Sequence, residues 1–118
     1  MSIKIKRVYE KPDQKDGYRI LVDRLWPRGL SKEDAKIDLW LKEIAPSDEL
    51  RKWFHANSKE WRNFESKYQN ELKNKADLIK SLKILEKEKS CLTFLYSSKN
   101  TEENNAVALK QIISKYKK

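Results

Sequence analysis

Strands separated by helical segments, closing on a strand–loop–helix unit, predict one layered α/β domain, a small and mostly parallel sheet flanked by helices. Three observations carry that expectation. The chain of 118 residues has the length of one domain, taken as 1–118. Two runs, Tyr18–Leu25 (YRILVDRL) and Cys91–Tyr96 (CLTFLY), are apolar enough through their middles to be central strands covered on both sides. Between and after them lie apolar stripes at helical spacing.

Element by element, Ile3–Val8 alternates and reads as a short strand near an edge. Lys11 to Gly17 is a polar turn whose strongest signal is Asp16-Gly17. Tyr18–Leu25 is stopped by Trp26-Pro27-Arg28-Gly29, because proline lacks a ladder donor and glycine permits a sharp turn. Ser31 can cap a short helical turn. Ile37–Ala45 fits both periods and is read as a strand or extended segment ending before Pro46. Ser47 is a good N-cap, with Asp48 and Glu49 complementing the dipole of a helix that buries Leu50, Trp53 and Phe54. Ser58 is expected to cap a second helix with the stripe Trp61, Phe64, Tyr68 and Leu72. A third spans about Ala76–Lys87. After Cys91–Tyr96 and a polar loop, Thr101 is expected to cap the final helix, which buries Ala106, Leu109, Ile112, Ile113 and Tyr116.

Composition narrows the function classes. Apolar and charged residues each make up 38%, and the modest aliphatic content is offset by four Trp, five Tyr and three Phe. No apolar run approaches the roughly 20 residues of a membrane span, and the N-terminus alternates charge with aliphatics instead of showing a signal-peptide core. One cysteine, Cys91, excludes an internal disulfide, and with one histidine, His55, no zinc ligand set is read. Neither a metal nor a cofactor is expected, and the compartment implied is a reducing cytoplasm. Residues 1–50 carry eleven basic and ten acidic groups, residues 51–118 sixteen and eight. That asymmetry points to an anionic small molecule or a nucleic-acid backbone as partner, against the plainer reading that lysine-rich helices are merely soluble.

Chemistry is expected beyond the carboxyl ends of the strands, where open α/β sheets place their ligands. Here those ends are Asp23–Gly29 and Ser97–Asn105. Lysine outnumbers arginine 21 to 6, yet Arg19, Arg24 and Arg28 fall within ten residues. Such clustering suggests a need for the bidentate guanidinium fork, beside Trp26 on which it can stack; the competing reading pairs Arg24 with Asp23 or another acid. Ser97, Ser98 and Lys99 lie between a strand and a helix N-terminus, where backbone N–H groups and a lysine can hold an anion. The loop lacks glycine, so it matches neither a Walker A loop nor a dinucleotide fingerprint. Asn105, in the first helical turn, can bond the loop backbone or a ligand.

Three segments carry a family resemblance: VDRLWPRG at Val22–Gly29, DLWLKEIAPS at Asp38–Ser47 with LRKWF at Leu50–Phe54, and LYSSKNTEENNAVAL at Leu95–Leu109. With these, the chain resembles the bacterial domain-of-unknown-function family 488, and within it the small YeaO-like members. The resemblance spans most of the chain and implies a compact cytoplasmic α/β domain without implying a reaction. Two departures stand out. Where such relatives place a His-Asp-Pro step, this chain reads His55-Ala56-Asn57-Ser58, so Ala56 takes the histidine's position; where they often carry Asp and His, it has Asn100 and Glu103. Each change removes a candidate acid–base group, which disfavours catalysis.

The sequence therefore predicts a basic crevice built from Arg24, Trp26, Arg28, Ser97, Ser98, Lys99 and Asn105 that binds a phosphate- or carboxylate-bearing ligand. An enzyme using His55 or Asp23 as acid–base group in the same crevice is one alternative. A protein- or nucleic-acid-interaction module using the basic helices is another. Cys91, at the far end of its strand, reads as an inert thiol. Trp53, Trp61, Phe64 and Tyr68 interleave with cations, as on single-strand-binding surfaces, but their helical spacing favours core packing.

Overall fold

The computed structural model describes residues 2–116. Strand β1 (Ser2–Arg7) leads to β2 (Tyr18–Leu21), the single turn α1 (Lys32–Ala35) and the two-residue strand β3 (Leu39–Trp40). Helices α2 (Asp48–Ala56), α3 (Trp61–Leu72) and α4 (Ala76–Lys89) follow, then β4 (Cys91–Tyr96) and α5 (Asn105–Lys115). The sheet order is β1-β4-β2-β3, and every pair in it is parallel. The domain is thus α/β, as the sequence predicts, with β4 at its centre: Phe94 faces Ile5 on one side and Ile20 on the other. Among the described residues no helix is long and apolar enough to cross a membrane.

Strand alternation divides the sheet into two unlike faces. Ile20, Val22, Leu92, Phe94 and Tyr96 join Leu50, Phe64, Tyr68, Leu82 and Leu109 in one buried cluster beneath α2–α5. On the opposite face Val8, Leu21 and Leu95 meet Trp26, Leu30, Ile37 and Trp40, under loops and α1. Handedness explains the inequality. The steps β1 to β2 and β2 to β3 cross the sheet one way and the step β3 to β4 returns, so right-handed crossovers put α1 opposite α2–α4.

The loop-covered face also buries charge. Arg19 and Asp16 are only 4% and 5% exposed. The Arg19 guanidinium donates to Asp16 Oδ2 at 2.5 Å and to the carbonyls of Ala35 and Lys36 at 2.8 and 3.0 Å. Lys6 Nζ reaches the same carboxylate at 3.1 Å, and Thr93 Oγ1 donates to the Asp16 carbonyl at 2.6 Å. Burial alone would raise the Asp16 carboxyl; hydrogen bonds from the Asp13 N–H, Lys6 and Arg19 outweigh it and hold the group below its ordinary value. Gly17 makes the approach possible: its φ is +66°, and a Cβ there would overlap the Cys91 carbonyl.

Several boundaries differ from the sequence reading. β2 ends at Leu21, not Leu25: Val22 N–H still bonds Leu95 O at 3.1 Å, but Asp23 turns its carboxylate across to Ser97. The strand expected over Ile37–Ala45 is confined to Leu39–Trp40, and residues 42–44 wind into a 3₁₀ turn that buries Ile44, whose carbonyl accepts the Tyr68 hydroxyl at 2.6 Å. Ser47 caps α2 through Leu50 N–H as expected. Ser58 does not cap α3, which opens at Glu60 without a side-chain cap. Nor does Thr101 cap α5, since the Asn104 side chain takes Val107 N–H at 3.0 Å. Helix α4 continues to Lys89, and Trp61 is half-buried, packed against Phe54 and Phe64.

Candidate functional site

Beyond the carboxyl ends of β1, β2 and β4 the chain encloses a cleft of about 1150 Å³. Asp23, Arg24, Trp26, Arg28, Ser97, Ser98, Lys99, Asn105 and His55 all line it. Parallel strands make this convergence unavoidable, because β2 and β4 end on the same side and each runs straight into its loop.

Proximity does not give these residues one role. Asp23 is a staple between strand ends: Oδ2 accepts from Ser97 N–H at 2.9 Å and Ser97 Oγ at 2.8 Å, while Oδ1 accepts from Asn105 Nδ2 at 2.9 Å. Asn105 Nδ2 also donates to Val22 O at 3.0 Å. Arg24 forms no ion pair among the described residues; it donates to the carbonyls of Pro46 and Ala45 at 3.0 and 3.3 Å, which fixes the guanidinium without cancelling its charge. Behind it, burial lowers the Lys75 ammonium pKa, the nearby Arg24 charge adds to this, and Glu71 and Glu43 oppose it. The Tyr68 hydroxyl is pushed well above its ordinary value, first by burial and then by Glu71 and Asp23. Trp26 donates Nε1–H to Leu30 O at 2.7 Å and meets Trp40 edge-on, so its ring is held by the fold.

Arg28 and Lys99 differ from these. Both are exposed, and no hydrogen bond or ion pair within the described residues uses either cationic head. The Arg28 backbone is fixed nonetheless, its carbonyl accepting from Tyr9 OH at 2.8 Å. Within the loop after β4, Asn100 Oδ1 takes the N–H groups of Glu102 and Glu103, and Ser98 Oγ takes that of Asn100. His55 is exposed in the last turn of α2 on its rim. Cys91 sits at the opposite end of β4.

Several lining residues escaped the sequence reading, among them Arg7, Tyr9, Leu25 and Arg51. Arg7, at the carboxyl end of β1, donates to the carbonyls of Ser98 and Ser97 at 2.9 and 3.2 Å and lies 4.9 Å over the Tyr9 ring. Tyr9 follows it, and Arg51 projects from α2, paired with Asp48 at 2.6 Å. Arg7 was detectable in principle, since the strand-end rule applies to β1 once it is known to run parallel to β4. With these included, Arg7, Arg24, Arg28 and Arg51, four of the six arginines in the chain, line one cleft. Lys99 is the only lining lysine among the described residues.

Comparison with known proteins agrees on the family and stops there. The chain is 50% identical over 109 residues to the uncharacterized protein YeaO of Escherichia coli, covering 92% of this chain and 94% of that one. It is 37% identical over 112 residues to the uncharacterized protein Rv3073c of Mycobacterium tuberculosis, covering 95% and 93%. No solved structure matches it. The family model DUF488-N3i accounts for residues 2–118, and the chain belongs to that family, the inactive DUF488-N3 subclade.

Proposed function

We propose that this domain binds a phosphate- or carboxylate-bearing small molecule in the cleft beyond the strand ends, and that it does so as a binding module of the reducing cytoplasm. The observation that carries this reading is the arginine distribution: a lysine-rich chain puts four of six guanidinium groups on one cleft. Guanidinium matches the planar oxygen pairs of carboxylate and phosphate, which an ammonium does not. Arg28 and Lys99 are the groups free to meet the anion. Arg7 and Arg24, tethered through neutral carbonyls, supply fixed positive charge.

Binding is favoured over catalysis by the engagement of Asp23, both of whose carboxyl oxygens already accept hydrogen bonds. The family description, an inactive subclade, supports the same choice. Isothermal titration of pyrophosphate at low ionic strength tests the reading. Arg28→Lys keeps the charge but loses the fork, and should weaken binding by about 1–3 kcal/mol. Arg62→Lys, on the outer surface of α3, should leave it unchanged. Equal binding by wild type and Arg28→Lys, or no heat from either, overturns the proposal.

A further inference from the structure

The cleft is too large and too apolar for a bare anion. Among the described residues three large hydrophobic side chains are markedly exposed, and two of them, Leu25 at 57% and Tyr9 at 41%, line this cleft. Solitary exposed hydrophobics are ordinary on protein surfaces. Here both line one basic cleft together with Phe54, an apolar lining that inorganic phosphate would leave wet. The cleft, about 1150 Å³ and open to solvent, has room for a whole small molecule.

Tyr9 is also immobilised. Its hydroxyl donates to Arg28 O at 2.8 Å, and the Arg7 guanidinium lies over its ring with its own donors held by Ser97 and Ser98. A ring fixed at its hydroxyl and covered on one face is a low-entropy contact surface, the kind that binding sites use to hold flat ligands. The Tyr9 hydroxyl bonds the backbone of Arg28, so the ring and the residue that carries the cation are neighbours on the same cleft.

On this basis, and resting on the anion-binding reading above, we infer that the ligand is an anionic head on a planar aromatic or heteroaromatic body, of nucleoside monophosphate size. The head lies between Arg28 and Lys99, and the flat body lies along Tyr9 and Leu25.

Calorimetric titration of the full chain with inorganic phosphate, phenyl phosphate, adenosine monophosphate and adenosine tests this. Adenosine monophosphate should bind about tenfold or more tighter than phosphate, the gain expected of one stacked base. Phenyl phosphate should fall between them, and adenosine should bind weakest. Leu25→Ala should bring adenosine monophosphate to within about threefold of phosphate while leaving phosphate itself unchanged, whereas Tyr9→Ala, which also frees the Arg28 carbonyl, should weaken both ligands. Leu25 is exposed enough that its truncation spares the fold, so a Tyr9 variant that misfolds does not remove the test. If adenosine monophosphate binds no tighter than phosphate, or Leu25→Ala keeps the full gain, this inference falls and the anion site stands. If neither binds, the underlying reading falls as well. A 5′-phosphorylated single strand binding far more tightly than the mononucleotide would transfer the cleft to nucleic-acid ends and overturn the small-molecule assignment.

Discussion

Phe94 and Thr93 are neighbours on β4, and they look into different worlds. Phe94 packs with Ile20, Phe64 and Leu109 beneath four helices. Thr93 gives its hydroxyl to the Asp16 carbonyl, beside a carboxylate shared by Arg19 and Lys6. The helical face is held by volume: many interchangeable apolar contacts, each weak, none demanding one geometry. The loop-covered face is held in part by a few charged hydrogen bonds that must all be made. A buried ion pair is weak evidence of net stability, because desolvation offsets most of the attraction. Its effect is to select one arrangement of the 13–19 turn and of the α1 segment, whose Ala35 and Lys36 carbonyls Arg19 clamps.

The largest expected effect lies on the helical face. Phe94→Ala should cost about 3–5 kcal/mol in chemical denaturation, because helices on one side and neighbouring strands on the other limit collapse of the cavity. A loss below about 1 kcal/mol would mean that this face is loosely packed and that volume does not hold it.

On the opposite face Asp16→Asn, which keeps shape but removes charge, should cost about 1.5–3 kcal/mol at neutral pH. The same variant separates the faces by pH. The Asp16 carboxyl is depressed in the folded protein, so its contribution is present above its ordinary value of 3.8 and is lost as pH falls through the lower folded value. Acid denaturation curves of wild type and Asp16→Asn should therefore converge below pH 3.8, while Phe94→Ala should stay displaced at every pH. Parallel curves for wild type and Asp16→Asn would show that the ion cluster contributes nothing that depends on its charge. The smallest change is expected for Trp61→Ala, about 1–2 kcal/mol, since this half-buried ring covers the rim of the helical cluster and is not enclosed by it.

The sequence disclosed the helical face better than the loop-covered one, for a physical reason. Phe64, Tyr68 and Leu72 recur at the helical period, and Leu92 to Tyr96 form a β-prone run, so local pattern and tertiary burial agree. Asp16 reads as a turn residue because, although Arg19 is three residues away, the Lys6 ammonium and the α1 carbonyls that complete the cluster arrive only through the fold. Arg19 has the same signature in sequence as Arg28, yet one is a buried clamp and the other faces solvent. The cap of α5 lies beyond Thr101 because a local turn intervenes: Asn100 satisfies the N–H groups of Glu102 and Glu103, and the helix starts only after Asn104. A two-residue strand such as Leu39–Trp40 has no period to detect. At the cleft, the strand-end rule located the loops, but nothing local distinguished Ser97, committed to Asp23, from Lys99, committed to nothing.

The sheet order β1-β4-β2-β3 carries a consequence for how the chain assembles. β1 has a single neighbour, β4, and some eighty residues must be synthesised after β1 before that neighbour exists. Until then Ile3 and Ile5 have no ladder to join, and the apolar stripes of α2, α3 and α4 lack the central strand they cover. Closing the β1–β4 loop early in folding is entropically costly and slow compared with helix pairing. The expected order is therefore helices docking first and the keystone strand last, so the cleft, whose walls meet only when β4 is seated, comes into being in the final step of folding.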